Sequence, residues 1–162
     1  MPIRPAVVAC VFYKDPIAAM AWLERAFGCE ITELVVDGQG RVGHAELSFR
    51  GCPIEIAGEW TGPQIAGAPM RSPASLAGAN SQFLRLSVES GIDELCDRAR
   101  AAGARITQEP EDQFYGARIF RAFDPEGHVW NFSQQVAHPS VAEMEQASGL
   151  RFRKSLMEAE HD

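Results

Sequence analysis

The chain carries the same pair of helix signals twice, and this repeat restricts its fold more than any other feature. Asp15-Pro16 predicts the start of a first helix, because Asp caps helices and Pro fits the first helical position. Gly28 predicts its end. Ser90 and Gly103 bracket a second predicted helix in the same way. Cap and glycine are 13 residues apart in both copies, which are offset by 75 residues.

Short strand patterns surround each predicted helix in the same order. One strand precedes the helix in each copy, over residues 6–12 and 83–88. Three strands follow it, at 30–36, 41–49 and 53–57 in the first copy and at 105–109, 117–123 and 128–133 in the second. The order βαβββ therefore occurs twice. It predicts an α+β protein in which two βαβββ modules form a curled mixed sheet around a cleft, plus a C-terminal helix.

The two predicted modules span residues 1–58 and 82–135, and a long connection at 59–81 joins them. In the tail, 136–162, helical spacing runs from 140 to 158 and is broken by Gly149. We expect a terminal helix there that covers a sheet edge or a partner subunit. We expect Trp60 and the connection to act as a flap over the cleft.

Composition and charge exclude several classes of protein. Hydrophobic residues make up 46% and charged residues 23% of the 162 residues, as in ordinary globular proteins. The net charge of −7 argues against a nucleic-acid partner, and no stretch approaches the roughly 20 apolar residues of a membrane span. Because no secretory signal pattern is present, we expect a cytoplasmic protein. In that reducing compartment, four cysteines are predicted to be small buried apolar groups: Cys10, Cys29, Cys52 and Cys96.

Alternation divides each predicted strand into an apolar face and a face of mixed polarity. In the strand at 83–88, Leu84 and Leu86 alternate with Phe83 and Arg85. The mixed faces of three other strands carry further polar groups: His44, Glu46, Glu55 and Asn131. Because aromatic and aliphatic residues also occur at these positions, a curved sheet around a mixed-polarity cavity explains the pattern better than a solvated face.

Four segments carry a family resemblance. Residues 12–28 are a strand followed by Asp-Pro and a helix ending in Gly, and 43–47 read Gly-His-Ala-Glu-Leu. Residues 114–118 read Phe-Tyr-Gly-Ala-Arg, and 123–130 read Phe-Asp-Pro-Glu-Gly-His-Val-Trp. Together they resemble the vicinal oxygen chelate superfamily, which includes glyoxalase I, extradiol dioxygenases, fosfomycin-resistance enzymes and bleomycin-resistance proteins. The last two segments look most like its PhnB-like branch.

The resemblance implies a shared cleft that, in most members, holds a divalent metal through the first and last strands of each module. The corresponding positions in this chain are Val8, Glu55, Phe83 and Asn131. Only Glu55 is an ordinary metal ligand, so we expect no resident cofactor. If a divalent metal is present, its expected ligands are Glu55, His44 and Glu46.

Two arginines on the mixed faces need a partner if they are buried, because an unpaired buried guanidinium is costly. Arg85 has two interpretations: it pairs with Glu46 or Glu55, or it binds the carboxylate or phosphonate of a ligand. Arg121 allows the same two interpretations. Arg118 is expected to anchor the turn before its strand.

The four histidines can also be explained without a metal. His44 is either a metal ligand or a hydrogen-bond partner of a carboxylate inside the cleft. His128, in the turn before the last strand, is interpreted as structural. His138 and His161 lie in the tail and are expected to be solvated.

These observations leave three functional hypotheses. The first is metal-independent, non-enzymatic binding of a small molecule, in a cleft lined by Phe12, His44, Glu46, Glu55, Phe83, Arg85, Tyr115, Arg121 and Asn131. The alternative is a metal-dependent lyase, isomerase or dioxygenase in which His44, Glu46 and Glu55 are catalytic. The third is a structural or regulatory dimer with an incidental cleft. The expected partners are a small-molecule ligand and a second copy of the chain in a homodimer.

Overall fold

A computed structural model describes residues 6–60 and 67–155 of the chain. The expectations for residues 1–5 and 61–66, for His161 and for the end of the predicted tail helix at 156–158 lie outside these ranges. No helix in the described ranges is long and apolar enough to cross a membrane.

The elements follow the predicted order. They are β1 (Ala9–Tyr13), α1 (Pro16–Phe27), β2 (Glu30–Val36), β3 (Val42–Phe49), β4 (Cys52–Gly58), a short 3-10 helix (Pro73–Ser75), β5 (Leu84–Val88), α2 (Ile92–Ala101), β6 (Arg105–Asp112), β7 (Ala117–Phe123), β8 (Val129–Gln135) and α3 (Val141–Ser148). Strand β6 runs further than the predicted 105–109 and includes Pro110. It is an edge strand, where the missing N–H of proline is tolerated.

The strands form two four-stranded mixed sheets with the same topology. The first has the order β1-β4-β3-β2 and the second the order β5-β8-β7-β6. In each sheet the first two strands in this order are parallel and the other neighbours are antiparallel. The predicted α+β class with two βαβββ modules and a C-terminal helix is confirmed.

The ends of α1 are those that the sequence predicts. The Asp15 carboxylate accepts a hydrogen bond from the Ala18 N–H at 2.9 Å, and Pro16 occupies the first turn. Gly28 ends the helix in the left-handed conformation, with a φ of 72°. A second reason for glycine is steric, since a Cβ there would lie 2.9 Å from the guanidinium of Arg98.

The start of α2 differs from the prediction. Ser90 does not cap this helix; Gly91 occupies the cap position with a φ of 76°, which a serine rarely adopts. The N–H of Ile92 donates instead to the side-chain oxygen of Gln134 at 3.1 Å. Asp93 and Glu94 place negative charge in the first turn, where it interacts favourably with the positive end of the helix dipole.

The tail helix is shorter than its sequence pattern. It begins at Ser140, which forms a reciprocal capping box with Glu143, and it ends at Gly149 with a φ of 71°. None of its residues is buried. The capping box and the left-handed glycine therefore limit α3 to about two exposed turns.

The helix-bearing faces of the two sheets share one apolar core. Phe27 of α1 lies against Trp130 and Phe132 of β8, with ring centroids 5.2 and 4.7 Å apart. Phe49 of β3 also contacts Phe132, at 5.8 Å. Because the apolar faces of both sheets meet in this core, the other face of each sheet is turned away from it. We call these the outward faces.

Arg98 of α2 fastens the two helices to each other. Its guanidinium donates to the carbonyl oxygens of Arg25 and Glu24 at 2.7 and 2.8 Å, at the C-terminal end of α1. A cation at this end of a helix is favourable because the last carbonyls lack intrahelical donors. The indole N–H of Trp22 adds a bond to the Ala102 carbonyl at 2.8 Å.

The turn between β7 and β8 joins the modules through Asp124. One oxygen of this buried carboxylate accepts the Tyr13 hydroxyl at 2.6 Å and the Trp130 indole N–H at 3.0 Å. The other accepts the backbone N–H groups of Glu126 and His128, both at 3.0 Å. Burial, together with the charge of Asp124, raises the pKa of Tyr13 well above its usual value, so the phenol stays a donor.

Glu126 in the same turn holds the start of α1 and the connection. Its carboxylate accepts the backbone N–H groups of Lys14 and Asp15 at 2.8 and 2.9 Å. It also accepts the hydroxyl of Ser72, which is fully buried, at 2.5 Å. Three separate parts of the chain therefore meet at this turn.

Replacing Asp124 tests how strongly this turn holds the modules together. The Asp124→Ala substitution leaves the Tyr13, Trp130 and two backbone donors without an acceptor, so we expect a loss of about 4 kcal/mol in the free energy of unfolding. Urea denaturation measures it. As a control, Asp97→Ala removes an exposed carboxylate that pairs with Arg100, and we expect a change within about 0.5 kcal/mol. Equal losses in the two variants would contradict the role of Asp124.

Candidate functional site

A crevice separates the edge strands β1 and β5. One cavity of about 640 Å³ lies between Phe12, Leu84, Val129 and residues 69–82 of the connection. A second, of about 390 Å³, lies between residues 7–10 of the first module and residues 82–86 of the second. Cys10, Gln82 and Leu84 line both cavities, so the two form one continuous crevice.

A row of polar residues crosses the outward face of the second sheet. In the strand register, Asn131 of β8 lies between Arg85 of β5 and Arg121 of β7. We call these three residues the basic row. Arg85 donates to the hydroxyl of Ser133 at 3.0 Å. Asn131 is only 6% exposed, and its side-chain oxygen has no hydrogen-bond partner among the described residues.

A row of carboxylates crosses the first sheet at the equivalent height. Glu46 of β3 lies between Glu33 of β2 and Glu55 of β4, and Cys10 of β1 lies on the other side of Glu55. We call the three glutamates the acidic row. Thr32 donates to the Glu46 carboxylate at 2.9 Å. Of the corresponding positions in the two sheets, Glu46 and Arg121 carry opposite charges, whereas Glu55 corresponds to the neutral Asn131.

The donor groups do not fit the divalent metal that the family resemblance implies. The register places Cys10 beside Glu55 and Arg85 beside Asn131. Val8 and Phe83 lie two residues earlier in the chain, just before β1 and β5 begin. Burial and the charge of Glu55 raise the pKa of the Cys10 thiol to about 11, so it remains protonated and is a poor ligand. A guanidinium at the Arg85 position repels a cation.

The alternative ligand set of His44, Glu46 and Glu55 does not form a metal site among the described residues either. Across residues 6–60 and 67–155, no group of three or more His, Cys, Asp or Glu side chains is placed to hold a metal ion. Glu46 and Glu55 are direct cross-strand neighbours, but His44 lies opposite Val35, in the next row of that face. His44, Glu46 and Glu55 share one face without converging on a single point.

The structure brings only some of the predicted ligand-binding residues together. Phe12 lines the larger cavity, and Phe83, which is 57% exposed, lines the smaller one together with Arg85. Arg121 is exposed on the basic row, away from both cavities. Tyr115 lies in the turn between β6 and β7, where its ring contacts Phe114 at 5.2 Å.

Neither arginine of the basic row pairs with a carboxylate in the parts of the chain that the structure describes. The expected alternative of an internal Arg85–Glu46 or Arg85–Glu55 pair is therefore not observed there. Both guanidinium groups belong to exposed residues, which removes the cost of burying them unpaired. Arg118 behaves differently, because it bridges Asp93 of α2 and Asp112 of β6, each at 2.8 Å.

His128 and the connection complete the wall of the larger cavity. His128 bonds to the Phe12 carbonyl at 2.9 Å, and its ring lies 4.6 Å from that of Tyr13, consistent with a structural role. Sequence reasoning missed the wall residues of the connection, among them Met70, which forms a bridge with Trp60. The available signal was Ser72 before Pro73, since serine capping starts the short helix there.

The cysteines are less uniformly buried than predicted. Cys29 and Cys96 are buried, Cys10 is half-buried and Cys52 is exposed, and all four are free thiols. Cys52 is the first residue of β4 and follows a tight turn at Gly51. At this end of the strand its side chain is exposed to solvent. Burial raises the pKa of Cys29 to about 12.

Comparison with known sequences gives a family match over most of the chain. The model of the Glyoxalase/Bleomycin resistance protein/Dioxygenase superfamily matches residues 6–132. An uncharacterized protein of Mycobacterium bovis, Mb0911c, is 28% identical over 145 residues, which cover 90% of this chain and 93% of that protein. Rv0887c of Mycobacterium tuberculosis is also 28% identical, over 90% of this chain and 83% of its own length.

Solved structures share the fold. TioX from Micromonospora sp. ML1 has a TM-score of 0.63 at 26% identity, covering 82% of this chain and 99% of TioX. The fosfomycin resistance protein FosX from Listeria monocytogenes has a TM-score of 0.57 at 17% identity, covering 88% of this chain and 98% of FosX. The likeness to FosX shows the fold alone.

The position of Cys10 beside Glu55 is testable by alkylation. We expect iodoacetamide to label the exposed Cys52 first and Cys10 only as the pH approaches the raised pKa of its thiol, about 11, because only the thiolate of Cys10 reacts. Mass spectrometry of labelled peptides follows each thiol, and Cys52→Ser should remove the fast phase. Fast labelling of Cys10 near neutral pH would show that burial and Glu55 do not suppress its ionisation.

Proposed function

The chain belongs to the Glyoxalase/Bleomycin resistance protein/Dioxygenase superfamily, and we propose that it is a metal-independent protein that binds a small organic acid. The ligand would lie on the outward face of the second sheet, where Arg85 borders the smaller cavity, with its acid group on Arg85. The proposal includes membership of the PhnB-like branch, supported by the Phe-Tyr-Gly-Ala-Arg and Asp-Pro-Glu-Gly-His segments at 114–118 and 124–128.

The observation that carries the proposal is the unsatisfied oxygen of Asn131. A buried carboxamide oxygen without a donor costs about 1–3 kcal/mol relative to a satisfied one. Such a cost at the centre of the basic row is explained if a ligand supplies the missing donor. The ligand therefore carries a hydroxyl or N–H group close to its acid group.

Arg85 supplies the complementary charge. Its guanidinium has five N–H donors, and the one bond that it forms with the described residues is to Ser133, which leaves donors for a carboxylate or phosphonate. Phe83 lies beside it at the smaller cavity and Phe12 lines the larger one. These rings offer apolar walls to the rest of the ligand, a combination typical of small-molecule sites.

A metal-dependent lyase, isomerase or dioxygenase is the less supported function. It requires His44, Glu46 and Glu55 to converge, and the register places His44 in a different row from the two glutamates. Glu46 is also engaged by Thr32. Free cysteines, including the exposed Cys52, support our further proposal that the protein resides in a reducing compartment, the cytoplasm.

The role of Asn131 predicts an unusual effect on stability. We expect Asn131→Leu to raise the free energy of unfolding by about 1 kcal/mol, because it removes a buried acceptor that has no donor. Urea denaturation without ligand measures this. Asn80→Leu is the control: the Asn80 amide donates to the Gly127 carbonyl at 2.9 Å, so this change should destabilise the protein. A loss of stability at Asn131 as well would mean that its amide is structural.

Direct binding tests the role of Arg85. With 2-hydroxybenzoate and 2-hydroxyphenylphosphonate as probes, calorimetry should show a dissociation constant at least about tenfold higher for Arg85→Ala than for the wild type. Arg41→Ala, which removes an exposed arginine from a turn, should bind like the wild type. Unchanged affinity in Arg85→Ala would contradict the proposal. So would stabilisation by Mn²⁺, Ni²⁺ or Zn²⁺ that is lost in Glu55→Gln.

A further inference from the structure

We propose that the ligand is a 2-hydroxy acid with a long apolar chain, and that this chain runs along the crevice from Arg85 to the space beneath the connection. This assignment rests on the proposed function, which places the acid group on Arg85 and a donor group against the side-chain oxygen of Asn131. A hydroxyl suits the second position better than an ammonium group, because the guanidinium repels a second cation.

The two cavities together form an elongated crevice. They meet at three residues that line both: Cys10, Gln82 and Leu84. Along β1 the cavities follow the strand from Ala9 to Phe12, a distance of about 10 Å at the rise of a β-strand. Arg85 borders only the smaller cavity, at one end. An acid held there can extend its substituent along the crevice, so the shape favours a linear ligand.

Apolar side chains from three parts of the chain form the walls of the larger cavity. Phe12 and Val129 belong to the two modules, and Met70 and Leu76 belong to the connection. Leu76 is 47% exposed. Covering apolar surface that is in contact with water is favourable, and it requires no directional partner. A hydrocarbon chain in this cavity would therefore be stabilised by contact with all four side chains.

Three of the polar residues around the same cavity already bond to the protein. His128 bonds to the Phe12 carbonyl at 2.9 Å, and the Asn80 amide donates to the Gly127 carbonyl at 2.9 Å. The guanidinium of Arg71 forms a salt bridge with a carboxylate of the same connection. Because these groups are engaged, they make little demand for a polar ligand.

Cys10, where the two cavities meet, is neutral as well. Burial and the charge of Glu55 raise the pKa of its thiol to about 11. A protonated thiol packs like a small apolar group. An apolar chain that passes from the smaller to the larger cavity therefore meets an uncharged side chain at Cys10.

Hydrogen bonds hold the connection in place over the larger cavity. The backbone of Met70 exchanges two bonds with that of Trp60, each at 2.7 Å. The hydroxyl of Ser72 donates to the carboxylate of Glu126 at 2.5 Å. The wall is therefore formed before a ligand arrives, so binding does not require the connection to become ordered.

Two straight-chain acids test the apolar part of the ligand. We expect the dissociation constant of 2-hydroxydecanoate to be at least about tenfold lower than that of 2-hydroxyhexanoate, because each methylene group that leaves water strengthens binding by about fourfold. Calorimetry below the micelle concentration measures both acids. In Arg85→Ala the two dissociation constants should rise by a similar factor, since both acids carry the same acid group.

Variants of the larger cavity show where the chain lies. Leu76→Asp places a charge in the wall and Ala79→Trp fills the cavity, so in each variant the ratio between the two dissociation constants should fall towards one. Leu150→Asp is the matched control, because Leu150 is 58% exposed in the tail and lines neither cavity. It should keep the wild-type ratio. Circular dichroism verifies that each variant folds.

The possible results distinguish the long chain from the proposed function. Equal affinities for the two acids, with 2-hydroxybenzoate still bound through Arg85, would overturn the long chain and leave the proposed function standing. A tenfold preference that persists in both cavity variants would place the chain outside the larger cavity and overturn the inference as well. Binding of these acids and of 2-hydroxybenzoate that does not depend on Arg85 would overturn the proposed function, and the long chain with it.

Discussion

The carboxylate of Asp124 fixes the relation between the two modules, and the arrangement of the outward faces depends on it. It accepts four hydrogen bonds, from the end of β1, from β8 and from its own turn. Glu126 in the same turn holds the start of α1 and the connection. With β1 fixed in this way, α1 lies against α2 and Phe27 reaches Phe132. The core therefore buries the apolar faces of both sheets, and the mixed faces lie on the outside of this core.

The two modules keep the same fold because their helix-bearing faces share a single constraint, whereas the outward faces do not. Residues such as Leu47 and Phe132 must stay apolar because they meet in one core. The outward positions share no common core of this kind: Ile119 and Asn131 of the second sheet are buried, whereas Glu46 of the first sheet corresponds to the exposed Arg121. The repeat has thus preserved the strand arrangement, whereas the side chains of the outward faces have diverged.

Much of the fold could be predicted from the sequence, because caps, glycines and alternation are local signals. Asp15 and Gly28 delimit α1 as expected. The start of α2 could not be predicted, since the bond from Ile92 to Gln134 joins residues that only the folded chain brings together. Alternation also identified the mixed faces without showing that the apolar faces meet each other. The parallel register of β1 and β4, which places Cys10 beside Glu55, is set by tertiary packing and not by any local signal.

In the function that we propose, the basic row provides a ligand site close to the positions where the family resemblance implies a metal. Arg85 offers positive charge and directed N–H groups to an acid group, as a metal ion offers charge and coordination. Unlike a metal, a guanidinium has no coordination position for a second substrate oxygen. Asn131 beside it presents an acceptor that only a donor can satisfy. In the function that we propose, the pair therefore selects a ligand by its hydrogen-bonding pattern, and the chemistry of the site is recognition.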